Sequence, residues 1–203
     1  MKRIFLLLVL LAFVLMTDAQ SVSQVWIDAP DSLVGYLSKG SRIELIDSYL
    51  ITGSSSVKNR LDGRTRIDTL TRSFMQVEMS EALTLQIKLL PSEGEDSVLC
   101  VVRTYRAPAR ESVVDIYSPA WEKMYSIDIS KHELVSKPDT MSEERYSELL
   151  PFTLPRMVSA VLSVDADEMK IEPSVPFSNP DVDKEMKALV LQRKLKWNKK
   201  TFN

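Results

Sequence analysis

The chain has 203 residues, 44% of them hydrophobic, and 26 basic against 28 acidic side chains give a formal charge of −2. A chain of this size and apolar content buries a core, which excludes disorder as its ground state, and its charge gives no global pull toward nucleic acid or anionic lipid. Cys100 is the only cysteine, so no internal disulfide is available and stability rests on the core.

Lys2 and Arg3 precede an unbroken apolar run over residues 4–16, and Thr17-Asp18-Ala19 follows it. A positive start, a short apolar run and a small-residue exit are the three parts of a secretory signal. The run is shorter than the ~20 apolar residues that cross a bilayer. The expectation is a signal peptide over residues 1–19 and one exported α+β domain over 20–203, with no transmembrane segment after cleavage.

Asp28-Ala29-Pro30 reads as a helix start with proline in the first turn, Leu33, Val34 and Leu37 as its apolar face, and Gly40 as its C-cap. Ser41-Arg42-Ile43-Glu44 reads as a capping box opening a second helix that carries Ile46, Tyr49 and Leu50 and stops at Gly53. The pattern then alternates. Asp62-Gly63 predicts a two-residue hairpin turn between strands 57–61 and 64–70. Leu83, Leu85, Ile87 and Leu89 alternate with Thr84, Gln86 and Lys88, the signature of a half-buried strand. After the polar turn 91–96, residues 97–105 are nearly continuous apolar, as in a strand covered on both faces. Residues 113–117 and 125–129 read as two more strands, with Trp121 in the turn between them.

Thr140 and Glu143 suggest a capping box for a helix to Leu150, ended by Pro151 and Pro155, and the stretch 151–155 is the one candidate for a weak domain boundary. Val158, Ala160, Leu162 and Val164 alternate on the next strand, residues 165–168 turn, and Met169, Ile171 and Val175 mark the return. Asn179-Pro180-Asp181 is placed to cap a last short helix, and Leu191, Leu195 and Trp197 suggest a final strand with lysines opposite. Strands joined by turns of a few residues pair as antiparallel neighbours. The fold class is therefore α+β: a largely antiparallel sheet of short strands, two N-terminal helices, and further short helices in the middle and near the C-terminus.

The segments Pro30-Asp31-Ser32-Leu33-Val34-Gly35-Tyr36-Leu37, Glu44-Leu45-Ile46-Asp47-Ser48-Tyr49 and Asn59-Arg60-Leu61-Asp62-Gly63 occur in this order, followed by Leu89-Leu90-Pro91, the strand 98–107 and the C-terminal Trp197 with its lysines. Together they resemble an uncharacterised family of secreted proteins of Bacteroides-type bacteria. The resemblance implies an envelope location and one intact domain, and brings no catalytic residues with it.

Candidate chemistry is sparse. His132 is the only histidine and sits in the polar turn Ser130-Lys131-His132-Glu133. Cys100 lies within Val-Leu-Cys-Val-Val, where a thiol behaves as a small core hydrophobe. One histidine and one cysteine do not build the usual zinc site. Asp165, Asp167 and Glu168, like Glu93, Glu95 and Asp96, lack the spacing that wraps a loop around calcium and read as solvated turns. Lys58, Arg60, Arg64 and Arg66 flank the hairpin; in the expected register Lys58 and Arg60 point one way, Arg64 and Arg66 the other, so no single patch forms. Arg193, Lys194, Lys196, Lys199 and Lys200 are denser and give the candidate binding surface, although a lysine-rich edge strand also serves to protect a sheet edge.

The reading is an exported, non-enzymatic domain in the periplasm or at the surface of a Gram-negative bacterium, without cofactor or metal. Its expected partner is an envelope protein or a cell-surface polymer rather than nucleic acid, and a homodimer through an exposed edge is compatible with the pattern. The alternative is a carboxylate-dependent hydrolase of envelope or dietary glycan, which needs two carboxyl groups about 5–10 Å apart across a cleft.

Overall fold

The computed structural model describes residues 21–94, 97–154, 156–174 and 183–203. The expected signal, Glu95, Asp96, Val175 and the cap at 179–181 lie outside these residues. Three N-terminal helices come first: α1 (Val22–Ile27), α2 (Asp31–Val34) and α3 (Lys39–Thr52). Ser21 caps α1 by accepting from the Gln24 backbone N–H, and Val22, Val25 and Trp26 are buried. The sequence reading missed α1 and misplaced the next boundary. Ser38, not Ser41, is the N-cap of α3, accepting from Ser41 N at 3.1 Å. Gly40 thus lies in the first turn of α3 rather than at a C-cap, because the serine one turn earlier is free to cap. The far end is as read: Gly53 takes φ 73 at the left-handed C-cap.

A seven-stranded antiparallel meander follows, in spatial order β1 (Ser55–Lys58), β2 (Arg64–Leu70), β3 (Phe74–Ser80), β4 (Leu83–Leu90), β5 (Val98–Tyr105), β6 (Glu111–Tyr117) and β7 (Lys123–Ile127). After a short helix α4 (Glu143–Leu149) come β8 (Met157–Leu162), β9 (Glu168–Ser174), helix α5 (Asp183–Leu189) and β10 (Arg193–Lys196). The last three strands form a second antiparallel sheet in the order β10-β9-β8. The cap of α4 is Ser142, accepting from Arg145 N, rather than Thr140, which precedes the Pro138–Met141 turn's end. No helix among the described residues is long and apolar enough to cross a membrane.

The large sheet is the middle of three layers. Val57, Ile67, Met75, Val77, Met79, Leu85, Ile87, Leu99 and Val101 pack with the N-terminal helices on one face. On the other, Phe74, Leu90, Cys100, Val102, Val114 and Ile116 pack under the small sheet through Val158, Ala160, Leu162, Met169 and Ile171. This second cover corrects the half-buried reading of β4: Gln86 and Lys88, on the face away from the leucines, are 5% and 2% exposed. Each has a partner. Gln86 Oε1 accepts from Leu162 N at 3.0 Å, and Ser112 Oγ accepts from Ala160 N at 2.9 Å, so the large sheet's side chains occupy N–H groups of the β8 edge. At the opposite edge, Lys196 and Asn203 exchange backbone hydrogen bonds, so the segment after Trp197 folds back on the end of β10.

The first hairpin also differs from its prediction. Lys58 pairs with Arg64, leaving residues 59–63 as the loop. The cause is Asn59, which is buried. Its Oδ1 accepts from Leu61 N (3.0 Å) and Gly63 N (3.1 Å), and its Nδ2 donates to Thr65 Oγ1 and Met79 O. One side chain thereby satisfies the wider loop from inside. Asn59→Ala strands those groups, and a loss of about 2 kcal/mol is expected in urea unfolding.

Candidate functional site

The small sheet covers only part of its side of the large sheet. The remainder is a polar face whose members follow from the register. Lys58 opposes Arg64, Ser56 opposes Arg66, and Arg66, Glu78, Thr84 and Thr104 oppose one another in turn across four strands, the row ending at Ser112 of β6 beneath β8. Directly opposed residues project to the same side. Lys58, Arg64 and Arg66 therefore share one face, which overturns the split expected from a two-residue turn.

Glu78 is the centre of this face, 16% exposed and held between two guanidinium groups, Arg66 Nε at 2.6 Å and Arg106 Nη1 at 2.9 Å. Burial alone would push the Glu78 carboxyl up, but the hydrogen bonds and charges of Arg66 and Arg106 overcome it and hold the group below the ordinary carboxylate range. Arg106 also donates to Thr84 Oγ1 at 2.8 Å, and Thr104 and Ser112 share a hydroxyl contact at 2.8 Å. Gln86 donates to Gln76, which donates to Asp68. Arg66 also meets Asp68 at 3.1 Å, so these side chains, the Thr104–Ser112 pair apart, form one connected array. Two open concavities flank it. One of about 780 Å³ is bounded by the 59–63 loop, Arg64, Arg66, Glu78, Glu81 and Ala82. The other, about 180 Å³, lies between Thr84, Thr104, Arg106 and Arg110 and the β8 residues Ser159–Val161.

Arg64 and Arg110 differ from the other cations here. Among the described residues neither has a carboxylate within salt-bridge distance, whereas Lys58 pairs with Asp62, and Arg66 and Arg106 with Glu78. Arg64 is nevertheless fixed, donating to Ser56 Oγ (2.8 Å) and Ser56 O (3.0 Å).

The residues singled out in the sequence are dispersed. Cys100 is fully buried, and burial pushes its thiol well above the usual value. His132 caps the 3-10 turn Ile129–Lys131, half-buried and away from the polar face. The 165–168 turn is organised around a cation, but that cation is Lys88: its Nζ donates to Ser163 O (2.7 Å), Val164 O (3.2 Å) and Ala166 O (2.6 Å). Of the C-terminal cluster, Lys194 and Lys196 share the outer face of β10, with Lys194 paired to Glu168. Arg193 projects to the opposite side and donates to Glu133 O, and Lys199 and Lys200 sit in the turn that follows Trp197. Those five side chains do not form one surface. Arg106, Arg110 and Glu78 were not singled out; only the sheet register joins them to Arg64 and Arg66.

The architecture is shared. A solved structure described as a domain of an uncharacterized protein from Porphyromonas gingivalis W83 is similar with a TM-score of 0.71 and 20% sequence identity, covering 91% of this chain and 99% of that one. No curated protein matches the chain. The sequence pattern described as "Protein of unknown function (DUF3256)" matches residues 14–202, and the chain belongs to that family.

Proposed function

We propose that this protein is an exported, non-enzymatic binding domain of the bacterial envelope, and that it engages its partner through the polar face built on Arg66, Glu78 and Arg106. The observation that carries the reading is the cross-braced array itself. Side chains already immobilised by one another lose little conformational entropy when a ligand arrives. Glu78 itself is unsuited to the role of a glycosidase acid, which needs a raised carboxyl pKa, because Arg66 and Arg106 clamp it at 2.6 and 2.9 Å and hold it low.

The test is a photo-crosslinking diazirine side chain at Leu61, which is 61% exposed and lines the larger concavity, in source cells. Glu44, exposed on the helical layer, is the control position. Adducts from position 61 and none from position 44 are expected. Equal labelling, or labelling from position 44 alone, overturns the assignment of this face. Cell fractionation of the same strain checks export independently.

A further inference from the structure

We infer that the partner of the polar face is an extended acidic polysaccharide, an inference that rests on the binding reading above and narrows it to one class of ligand. The two uncompensated guanidinium groups lie at opposite ends of the face. Arg64 opens β2 and Arg110 immediately precedes β6. Four interstrand steps separate those strands in the sheet. At about 4.8 Å per step, the strands that carry them stand roughly 19 Å apart. A small metabolite does not bridge that span, but a short run of linked sugars does.

What lies between the ends fits sugar hydroxyls. Between them lie the Thr84 and Thr104 hydroxyls and the Gln76 amide, polar groups that sugar hydroxyls can bond, and the Glu78 carboxylate already neutralised by Arg66 and Arg106. The residues lining the two concavities include no aromatic side chain. Single-stranded nucleic acid takes much of its affinity from stacking on aromatics, so this face offers it little. An extended peptide would dock by adding to a strand edge, with pockets for alternate side chains. The β8 edge that borders the face already has two of its N–H groups engaged, Ala160 by Ser112 and Leu162 by Gln86. With no aromatic to stack on, and with the β8 edge closed to strand addition, charge is the chief source of affinity between the two arginines. A guanidinium fork matches a carboxylate or a sulfate with two parallel hydrogen bonds.

The experiment titrates the purified protein with polygalacturonate, heparin, dextran and poly-glutamate at low and high salt. Binding to polygalacturonate or heparin is expected, weakening as salt rises, with dextran and poly-glutamate weaker by tenfold or more. Which of the two acidic polymers binds distinguishes carboxylate from sulfate recognition. The double variant Arg64→Ser/Arg110→Ser is expected to lose about tenfold in affinity, while Lys194→Ser/Lys196→Ser on the far sheet loses none; both pairs are exposed, so folding is kept. Poly-glutamate binding as tightly as the polysaccharides, dextran binding equally, absence of any binding, or loss only in the Lys194/Lys196 variant overturns the inference. Crosslinks at position 61 without polyanion binding would sink this inference alone; absence of both would sink the binding reading with it.

Discussion

Lys88→Met is expected to lower folding stability by about 3 kcal/mol, although the substitution shortens the side chain by only one atom and removes a buried charge. Lys88 points from β4 into the seam between the two sheets, with its side chain 3% exposed. Burial pushes its ammonium below the usual lysine value, opposed by the charges of Asp167 and Asp165. An ammonium has three N–H donors, and here three carbonyls of the β8–β9 turn receive them. Methionine leaves those carbonyls facing an apolar thioether, and the turn loses its attachment to the large sheet. Because β6, β5 and β4 otherwise hold β8 through side chains alone, faster amide exchange is expected across β8 and β9 than across β3 and β4. An unchanged urea midpoint would show that the turn re-solvates its carbonyls without cost.

Lys88 also shows why part of the fold was not legible. In sequence, Thr84, Gln86 and Lys88 between leucines look like a solvated face, because polar side chains mostly are. Only a second sheet, contributed from residues about 75 positions later, converts that face into an interior. Gly53, the apolar run of β5 and the alternation of Val158, Ala160 and Leu162 were readable because each depends on local backbone geometry or on one unambiguous face. β3 was missed although Met75, Val77 and Met79 alternate with Gln76 and Glu78. The capping errors at Ser38 and Ser142 are of one kind: several serines and threonines compete within a turn of each helix start, and the winner is set by where packing begins.

The candidate site was lost through one loop. The expected turn put Leu61 opposite Arg64, while the structure puts Lys58 there. That slip moves the pairing by three residues, an odd number, and an odd slip exchanges the faces of every side chain on the strand. Lys58, Arg64 and Arg66 are therefore gathered or scattered according to what Asn59 does. Its inward-turned amide, satisfied by groups as distant as Met79, has no signature in the five letters around it. The C-terminal cations were conspicuous by density, yet alternation along β10 turns Arg193 away from Lys194 and Lys196, and Lys199 and Lys200 lie in the turn beyond the strand.

Asp115 carries the second large effect. It is 0% exposed on β6, with Arg103 Nη2 at 2.6 Å, Lys123 Nζ at 2.9 Å and Ser126 Oγ at 2.6 Å. Burial alone would raise its pKa; the hydrogen bonds from Ser126, Lys123 and Arg103 outweigh that and hold the carboxyl below its ordinary 3.8. Asp115→Ala leaves two cations facing one another beside an empty site. Because Arg103 and Lys123 are 25% and 50% exposed and can turn to water, the expected loss at pH 7 is about 3 kcal/mol, at the low end for a broken buried pair. The pH dependence fixes the cause. A carboxyl with a depressed folded pKa contributes stability that is complete above its unfolded value, near 4, and is lost as pH falls through the folded value. The gap between wild type and Asp115→Asn in urea midpoint should therefore be constant from pH 7 to about 5 and close progressively below pH 4. Glu78, also held low by its arginines, titrates in both proteins and drops out of that difference. A gap that persists unchanged to pH 2 would mean that Asp115 acts through packing, and that the charges of Arg103 and Lys123 contribute nothing to its hold on β7.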